Sequence, residues 1–300
     1  MSFLRGKVAV VTGAGQGLGR SEALALAEAG ATVVVNDLGP GGDNAERPAD
    51  AVVREIRNAG GTAEANFDDV ADWAGGERLI DQAFSINGRL DILVCNAGIV
   101  RDRMLYKMSF EEWDAVLRVH LNGHFFPTRF AAERWREQAK DTGPIAARII
   151  YTTSETGLFG KVGQANYGAA KAGITGLCFT AAQELSRLGV TVNVVSPRGR
   201  TPMTFGAFGD IPAPDGGFDE WDPANVAPFV TFLARDEAAA ISGQVFVVYG
   251  GTVSRLAGWP ELATIQTDHR WQPDELLAAV ESTLVPDLKA PPPEFPVQVP

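Results

Sequence analysis

Seven short runs of β-branched and apolar residues recur along the chain. They are "KVAVVTG" (7–13), "ATVVVND" (31–37), "TAEANF" (62–67), "LDILVCNAG" (90–98), "ARIIYTTS" (147–154), "VTVNVVSP" (190–197) and "QVFVVYGG" (244–251). Most are apolar throughout and do not alternate, as expected of strands covered on both faces. Helix-like spacing fills the gaps at 18–29, 45–59, 74–87, 109–140, 165–188 and 223–235. Strands joined by helical crossovers predict an α/β fold: a single Rossmann-like, doubly wound, seven-stranded parallel sheet with helices on both faces. No internal repeat is visible.

Three segments break the pattern. "LGPGGDNAERPAD" (38–50) reads as a polar loop after the second strand. Residues 199–221, rich in Gly, Pro and Phe, read as a long mobile loop over a substrate site. Residues 255–300 read as a C-terminal extension beyond one domain at 1–254, with a short helix at 273–284 and an extended, Pro-rich end.

The composition is that of a globular protein: 300 residues, 45% hydrophobic, 21% charged. The formal net charge of −11 argues against nucleic acid and anionic membranes as partners. Cys95 and Cys178 lie in apolar stretches and read as buried thiols in a reducing compartment. The chain starts directly in a strand, without a signal-peptide pattern, and no run is long enough to span a bilayer. A cytoplasmic location is expected. His124 and His269 lack metal-ligand spacing, so no metal is expected. The nucleophile elbow of serine hydrolases is absent.

The first strand runs into "TGAGQGLGR" (12–20), with Gly13, Gly17 and Gly19 ahead of a helix. A helix N-terminus offers unpaired N–H groups and the positive end of the dipole, which suits a pyrophosphate. The spacing differs from the usual G-x-G-x-x-G dinucleotide fingerprint. The second strand ends at Asp37, where a carboxylate accepts hydrogen bonds from an adenosine ribose and repels a 2′-phosphate. With Asn at position 36 and no basic residue in the loop before Gly19, NAD is expected over NADP.

"QANYGAAKAGITG" (164–176) sets Tyr167 and Lys171 on one helix face among small residues. A phenol titrates near 10 and is a poor base. Bringing it near neutrality takes about 4 kcal/mol, which a nearby cation helps to supply. Small neighbours leave room for cofactor and substrate. Ser154 ends the fifth strand, on the edge where such sheets bind ligands. There it has a choice of capping a helix or holding a substrate oxygen.

Together "TGAGQGLG", Asp37, Asp69–Val70, "NAG" (96–98), Ser154, "YGAAK" (167–171) and Pro197 resemble the short-chain dehydrogenase/reductase family over residues 5–254. The resemblance implies reversible hydride transfer between a nicotinamide cofactor and an alcohol or ketone, in a homodimer or homotetramer. It implies Tyr167 as general acid/base, Lys171 tuning it and binding the nicotinamide ribose, and Ser154 positioning substrate. It also implies Gly13, Gln16, Gly17, Leu18, Gly19, Asp37, Asp69, Val70, Asn96, Ala97, Gly98, Tyr167, Lys171 and Pro197 as cofactor contacts. "VVVNDLG" (33–39), "NAGIVRDRM" (96–104), "RVHLNGHF" (118–125) and "FGKVGQANYGAAKAG" (159–173) are similar to the (3R)-hydroxyacyl-CoA dehydrogenase, or 17β-hydroxysteroid dehydrogenase, domain of the peroxisomal multifunctional enzyme and its bacterial relatives. The substrate implied is a (3R)-3-hydroxyacyl-CoA or a steroid-derived substrate, and more broadly an acyl-CoA or another hydrophobic alcohol or ketone. A 3-oxoacyl-carrier-protein or small-ketone reductase is the rival enzyme, and a catalytically silent NAD-binding scaffold the rival of another class.

The chain departs from the pattern in two places. His120 stands where most of the family has a catalytic asparagine, with a structural and a catalytic role both open for its side chain. Arg198 follows Pro197 where glycine is expected, so Thr201 and Thr204 compete for the cofactor contact of that loop. Arg101, Arg103, Arg198 and Arg200 are candidates for the phosphates of coenzyme A or for solvated surface. Phe205, Phe208, Phe218 and Trp221 either cover an apolar substrate or anchor their loop.

Overall fold

The computed structural model describes residues 2–39, 46–208, 211–289 and 295–296, without the side chains of 206–208 and 287. Eight strands form one sheet: β1 (Val8–Thr12), β2 (Thr32–Asn36), β3 (Thr62–Asn66), β4 (Ile92–Cys95), β5 (Arg148–Thr152), β6 (Thr191–Pro197), β7 (Val245–Tyr249) and β8 (Thr252–Leu256). Their order is β3-β2-β1-β4-β5-β6-β7-β8, and β1 to β7 run parallel. The reversal of strand order between β1 and β4 opens a crevice at the carboxyl ends of the strands.

The central strands carry no solvent face. Every residue of β1, β4 and β5 is buried. Helices α1 (Gly17–Glu28) and α2 (Pro48–Asn58) cover one face, with Leu26, Val52 and Ile56 packed on Val33 and Val35. Helix α3 (Trp73–Ser85) covers the other, with Leu79 and Ile80 in its core.

The sequence pattern predicts seven parallel strands, and the structure adds an eighth. Strand β8 pairs antiparallel with β7 through the two-residue turn Gly250–Gly251, with Gly250 at φ +48°. Its "TVSRL" is largely exposed at the sheet edge, so no apolar run announces it.

The long helix expected at 109–140 divides. Helix α4 (Phe110–Leu117) starts on a capping box in which Ser109 accepts from the Glu112 backbone and Glu112 accepts from Ser109 N. A π-helical turn over Arg118–Asn122 then bends the chain into α5 (Gly123–Thr142), whose Phe130 and Trp135 join the core beside α3. A short helix α6 (Glu155–Phe159) precedes α7 (Ala165–Glu184).

The segment 199–221 is not all loop. Pro202–Phe208 forms α8, and Arg200 latches the chain on either side of it. The Arg200 guanidinium donates to both Asp219 oxygens at 2.9 Å and to Ile211 O at 2.6 Å. Helix α9 (Ala227–Leu233) follows and packs on α1. In the extension, the helix expected at 273–284 begins as α10 (Pro273–Ala279) and closes in a π turn, Val280–Leu284. Residues 40–45 of the polar loop, and 290–294 and 297–300 of the Pro-rich end, lie outside the described residues.

Candidate active site

One cleft of about 390 Å³ runs along the carboxyl ends of the strands, across the crevice between β1 and β4. Of the site residues expected from the sequence, all but Gly19 line it. Gly19 lies behind. A Cβ there would meet Gly13 O and, at 2.6 Å, Asn96 Nδ2, so Gly19 lets α1 pack on the glycine turn.

The glycine turn is built for close backbone approach. Gly13 has φ +64°, and a Cβ on it would sit 2.7 Å from Ala97 Cα. Thr12 Oγ1 accepts from Asn96 N and Ala97 N, and Asn96 Nδ2 reaches back to Thr12 O and Gly13 O. Residues 96–98 and 12–13 therefore hold one another. At the start of α1, Gln16 occupies the cap position without a side-chain cap bond, leaving the helix N–H groups to a ligand. Asp37 Oδ2 accepts from Gly15 N and its Oδ1 from Gly39 N, both at 2.8 Å. Each oxygen keeps a second lone pair for a hydroxyl donor. A side-chain-free cradle, an open helix N-terminus and a fixed carboxylate fit a dinucleotide.

Pro197 ends β6 on the same edge. Val70 is buried against the bend, within 3.1 Å of where a Cβ on Gly123 would lie. Asp69 caps its own turn by accepting from Ala71 N and faces Arg118 at 3.3 Å.

The catalytic candidates meet at the other end of the cleft. Ser154 caps α6, accepting from Thr156 N at 3.2 Å, and its hydroxyl favours the ionised form of the Tyr167 phenol. Capping and site placement thus coincide in one residue. Helix α7 carries Tyr167 and Lys171, the lysine Nζ 5.5 Å from the tyrosine ring centroid. Lys171 is 2% exposed and donates to Thr152 O at 2.7 Å.

Burial works against charge on both. The Tyr167 phenol is pushed up to about 12 by desolvation, partly offset by its bond from Ser154. Burial brings the Lys171 ammonium down to about 7. In the protein alone the pair therefore holds a neutral phenol, and the lowering expected from the sequence counts on a nicotinamide cation as well as on Lys171. A phenolate and an ammonium this close stabilise each other, so ionising Tyr167 draws a proton onto Lys171.

The small residues of α7 serve packing as well as access. A Cβ on Gly173 would lie 2.8 Å from Leu121, and the backbone of α7 at Ala172 N comes within 2.6 Å of where a Cβ on Gly157 of α6 would lie. Asn166, fully buried, ties the start of α7 in place. Its Nδ2 donates to Arg101 O and Glu112 O, and its Oδ1 accepts from Tyr167 N.

His120 is fully buried on the π turn with its ring edge-on to Tyr167, centroids 5.2 Å apart. Its Nε2 meets the Ile99 backbone, 2.8 Å from the carbonyl and 3.1 Å from the N–H, one bond or the other according to tautomer. Desolvation, then the Lys171 charge, holds its pKa well below the usual histidine value. The His120 carbonyl accepts from His124 Nδ1 at 2.7 Å. Gly98 is required beside it, since a Cβ there would overlap the imidazole Cε1.

Both candidate threonines line the cleft. Thr204 Oγ1 donates to Gly199 O at 2.6 Å, whereas the Thr201 methyl lies 3.2 Å from where a Cβ on Gly17 would sit. Thr201 is therefore the one against the glycine turn.

Three of the four loop arginines are already matched to carboxylates: Arg103 to Glu112, Arg198 to Glu155 and Arg200 to Asp219. Their forks are satisfied within the chain, which removes them as ready phosphate ligands. Arg101 donates to the adjacent Val100 O. Trp221 lines the cleft, Phe205 and Phe218 are exposed, and the Phe208 side chain lies outside the described residues.

The sequence reading missed several lining residues. Gln164, a turn before Tyr167, accepts from Thr156 Oγ1 and donates to Asp102 Oδ2. Its position one turn from the tyrosine was a usable signal. Glu155, Lys161, Met203 and Phe295 also line the cleft, and no motif marks them.

The family described as short chain dehydrogenase matches residues 7–206. Hydroxyacyl-CoA dehydrogenase ChsB1 of Mycobacterium tuberculosis is 49% identical over 281 residues, covering 92% of this chain and 88% of the relative. Peroxisomal multifunctional enzyme type 2 of Mus musculus is 42% identical over 254 residues, covering 84% of this chain and 32% of that longer protein. A crystal structure of a short chain dehydrogenase from Mycobacterium avium superposes with TM-score 0.87 at 43% identity, covering 98% of this chain and 100% of that one. Fold, cleft and likeness agree that the chain is an oxidoreductase and belongs to the short chain dehydrogenase family.

Proposed function

We propose that the protein is an NAD-dependent dehydrogenase that interconverts a (3R)-3-hydroxyacyl-CoA and its 3-oxo counterpart. The convergence of Ser154, Tyr167 and Lys171 at one end of a cleft whose other end is a glycine cradle carries this reading. The 49% identity to a hydroxyacyl-CoA dehydrogenase supports the substrate class.

When bound, the nicotinamide cofactor supplies the hydride acceptor. Gly13, Gln16, Gly17, Leu18, Asp37, Asp69, Val70, Asn96, Ala97, Gly98, Pro197 and Thr201 would hold it, with Gly19 setting the turn. Ser154 donates to the substrate oxygen and fixes it against Tyr167. Tyr167 takes the hydroxyl proton as general base and returns it in the reverse direction. Lys171 carries positive charge next to the phenolate and would hold the ribose of the bound cofactor. His120, buried and neutral, positions the Ile99 backbone and offers its carbonyl to the π turn.

His120→Asn keeps the backbone carbonyl and removes only the imidazole. Its kcat is expected to stay within about tenfold of wild type, less than the loss of a general acid/base produces. A steady-state kcat several hundredfold lower would make the imidazole a direct participant.

Asp37 favours NAD because its carboxylate, fixed by Gly15 N, accepts ribose hydroxyls and repels a 2′-phosphate. Hydrogen bonds to a charged acceptor contribute about 1.5–3 kcal/mol, so Asp37→Ala is expected to lower the NAD/NADP preference about tenfold or more. Fluorescence titration with the two reduced cofactors reads it directly, and an unchanged ratio would reassign the residue.

The exposed apolar side chains Leu105, Tyr106 and Phe110 support a homodimer or homotetramer. Among the described residues no helix is long and apolar enough to cross a membrane. The acidic net charge of −11 supports the reading of a cytoplasmic enzyme without nucleic acid or anionic membrane as partner. The deciding assay follows NADH formation with (3R)- and (3S)-3-hydroxyacyl-CoA. Turnover of the 3R thioester with NAD is the expected result. Turnover confined to carrier-protein thioesters with NADPH would replace this reading by the reductase.

A further inference from the structure

One wall of the cleft comes from outside the sheet domain. Phe295, in the C-terminal extension, lines the same cleft as Tyr167. Its ring centroid lies 5.5 Å from Lys161 Nζ, and the residue is partly buried. Lys161 sits in the turn between α6 and α7, just before the catalytic helix, and also lines the cleft. An ammonium over a ring face at this range is attracted by the ring's negative quadrupole.

The apolar residues of the cleft say what a substrate would meet. Ile99, Val100 and Met203 line the same cleft. Met203 Sδ lies 3.8 Å from the Tyr167 hydroxyl, so the apolar lining begins at the reacting end. Beyond its carbinol carbon, an acyl thioester offers an apolar chain. A phenyl ring on that path adds apolar surface in proportion to the length of chain it covers.

We propose that Phe295 is a specificity-determining residue. It forms the outer apolar wall of the substrate pocket, is held there by Lys161, and favours long or bulky acyl groups over short ones. The inference rests on the reading of the substrate as a 3-hydroxyacyl thioester. It assigns a role to an extension that lies past the catalytic motifs and past β8.

The test compares kcat and KM for 3-hydroxybutyryl-CoA and 3-hydroxydodecanoyl-CoA in wild type, Phe295→Ala, Phe295→Leu and a chain ending at Lys289. In Phe295→Ala the long-to-short ratio of kcat/KM is expected to fall about tenfold, mainly through KM of the long substrate. Phe295→Leu, which keeps apolar bulk, should restore most of the ratio, and the shortened chain should behave like Phe295→Ala. Thermal melting of each variant separates this effect from loss of the fold. An unchanged ratio in a folded Phe295→Ala variant overturns the proposal. So does a shortened chain that gains activity on both substrates, which would make the extension a cover over the cleft. Wild type that turns over neither thioester overturns the substrate reading itself, and this inference with it.

Discussion

Tyr167→Phe is expected to lower kcat about a thousandfold while leaving the dissociation constant of NAD within a factor of two. The substitution removes one oxygen and keeps the ring. That oxygen lies 3.8 Å from Met203 Sδ, at the end of the cleft that Ser154 also lines. The glycine cradle and Asp37 are built from β1, α1 and β2 and do not touch it. Loss of turnover should therefore be separable from loss of cofactor binding. Phenylalanine still packs edge-on against His120. The melting temperature should fall by only a few degrees, because Ser154 retains its bond to Thr156 N. Stopped-flow measurement of the chemical step, with fluorescence titration of NADH, reads both quantities. Turnover within tenfold of wild type would remove Tyr167 from the role of acid and base.

Arg198→Ala is expected to be the most destabilising single change near the cleft, at about 3 kcal/mol. The Arg198 guanidinium makes two parallel bonds of 2.7 Å to Glu155 and lies 4.0 Å above the Tyr249 ring. The Glu155 side chain is 6% exposed. Removing the arginine strands that carboxylate away from water, which costs more than the pair itself contributes. Arg198 is 19% exposed, which places the effect at the lower end for buried pairs. For a chain of this size the melting temperature should drop by roughly 6–10 °C. The double substitution Arg198→Met, Glu155→Leu should recover most of the loss, because it removes both charges and fills the space. Calorimetry on the three variants gives the comparison. A single variant that melts with wild type would mean that Glu155 finds water or another donor. Activity should fall with stability in the single variant, since Glu155 adjoins Ser154 and lines the cleft.

This ion pair also explains a departure from the family pattern. Position 198 was readable as an oddity in the sequence, a large charged residue where glycine is expected. Its partner is 43 residues away, and nothing in either segment marks them as a pair. Arg103, Arg198 and Arg200 read alike from the sequence as phosphate candidates, because charge is local information and pairing is not. Each turned out to face its own carboxylate.

The sequence by itself determined the sheet, its parallel sense and the edge that carries the site. Buried strands must be apolar on both faces, and such runs stand out against amphipathic helices. It also determined the glycine turn and the Tyr167–Lys171 spacing, since these depend on backbone freedom and on the pitch of one helix. Strand β8 escaped because an exposed edge strand needs no apolar pattern, and a hairpin turn of two glycines is its one local sign. The break of the 109–140 helix into α4, a π turn and α5 was invisible because helical periodicity continues across a bend. Only the tertiary structure decided the protonation balance at the site. Burial, a property of the whole packing, raises Tyr167 and lowers Lys171, and helical spacing carries no information on burial. Only the tertiary structure, likewise, brought Phe295 to the cleft that Tyr167 lines and set it by Lys161, because a contact between segments so far apart is set by where the chain returns and leaves no periodic trace.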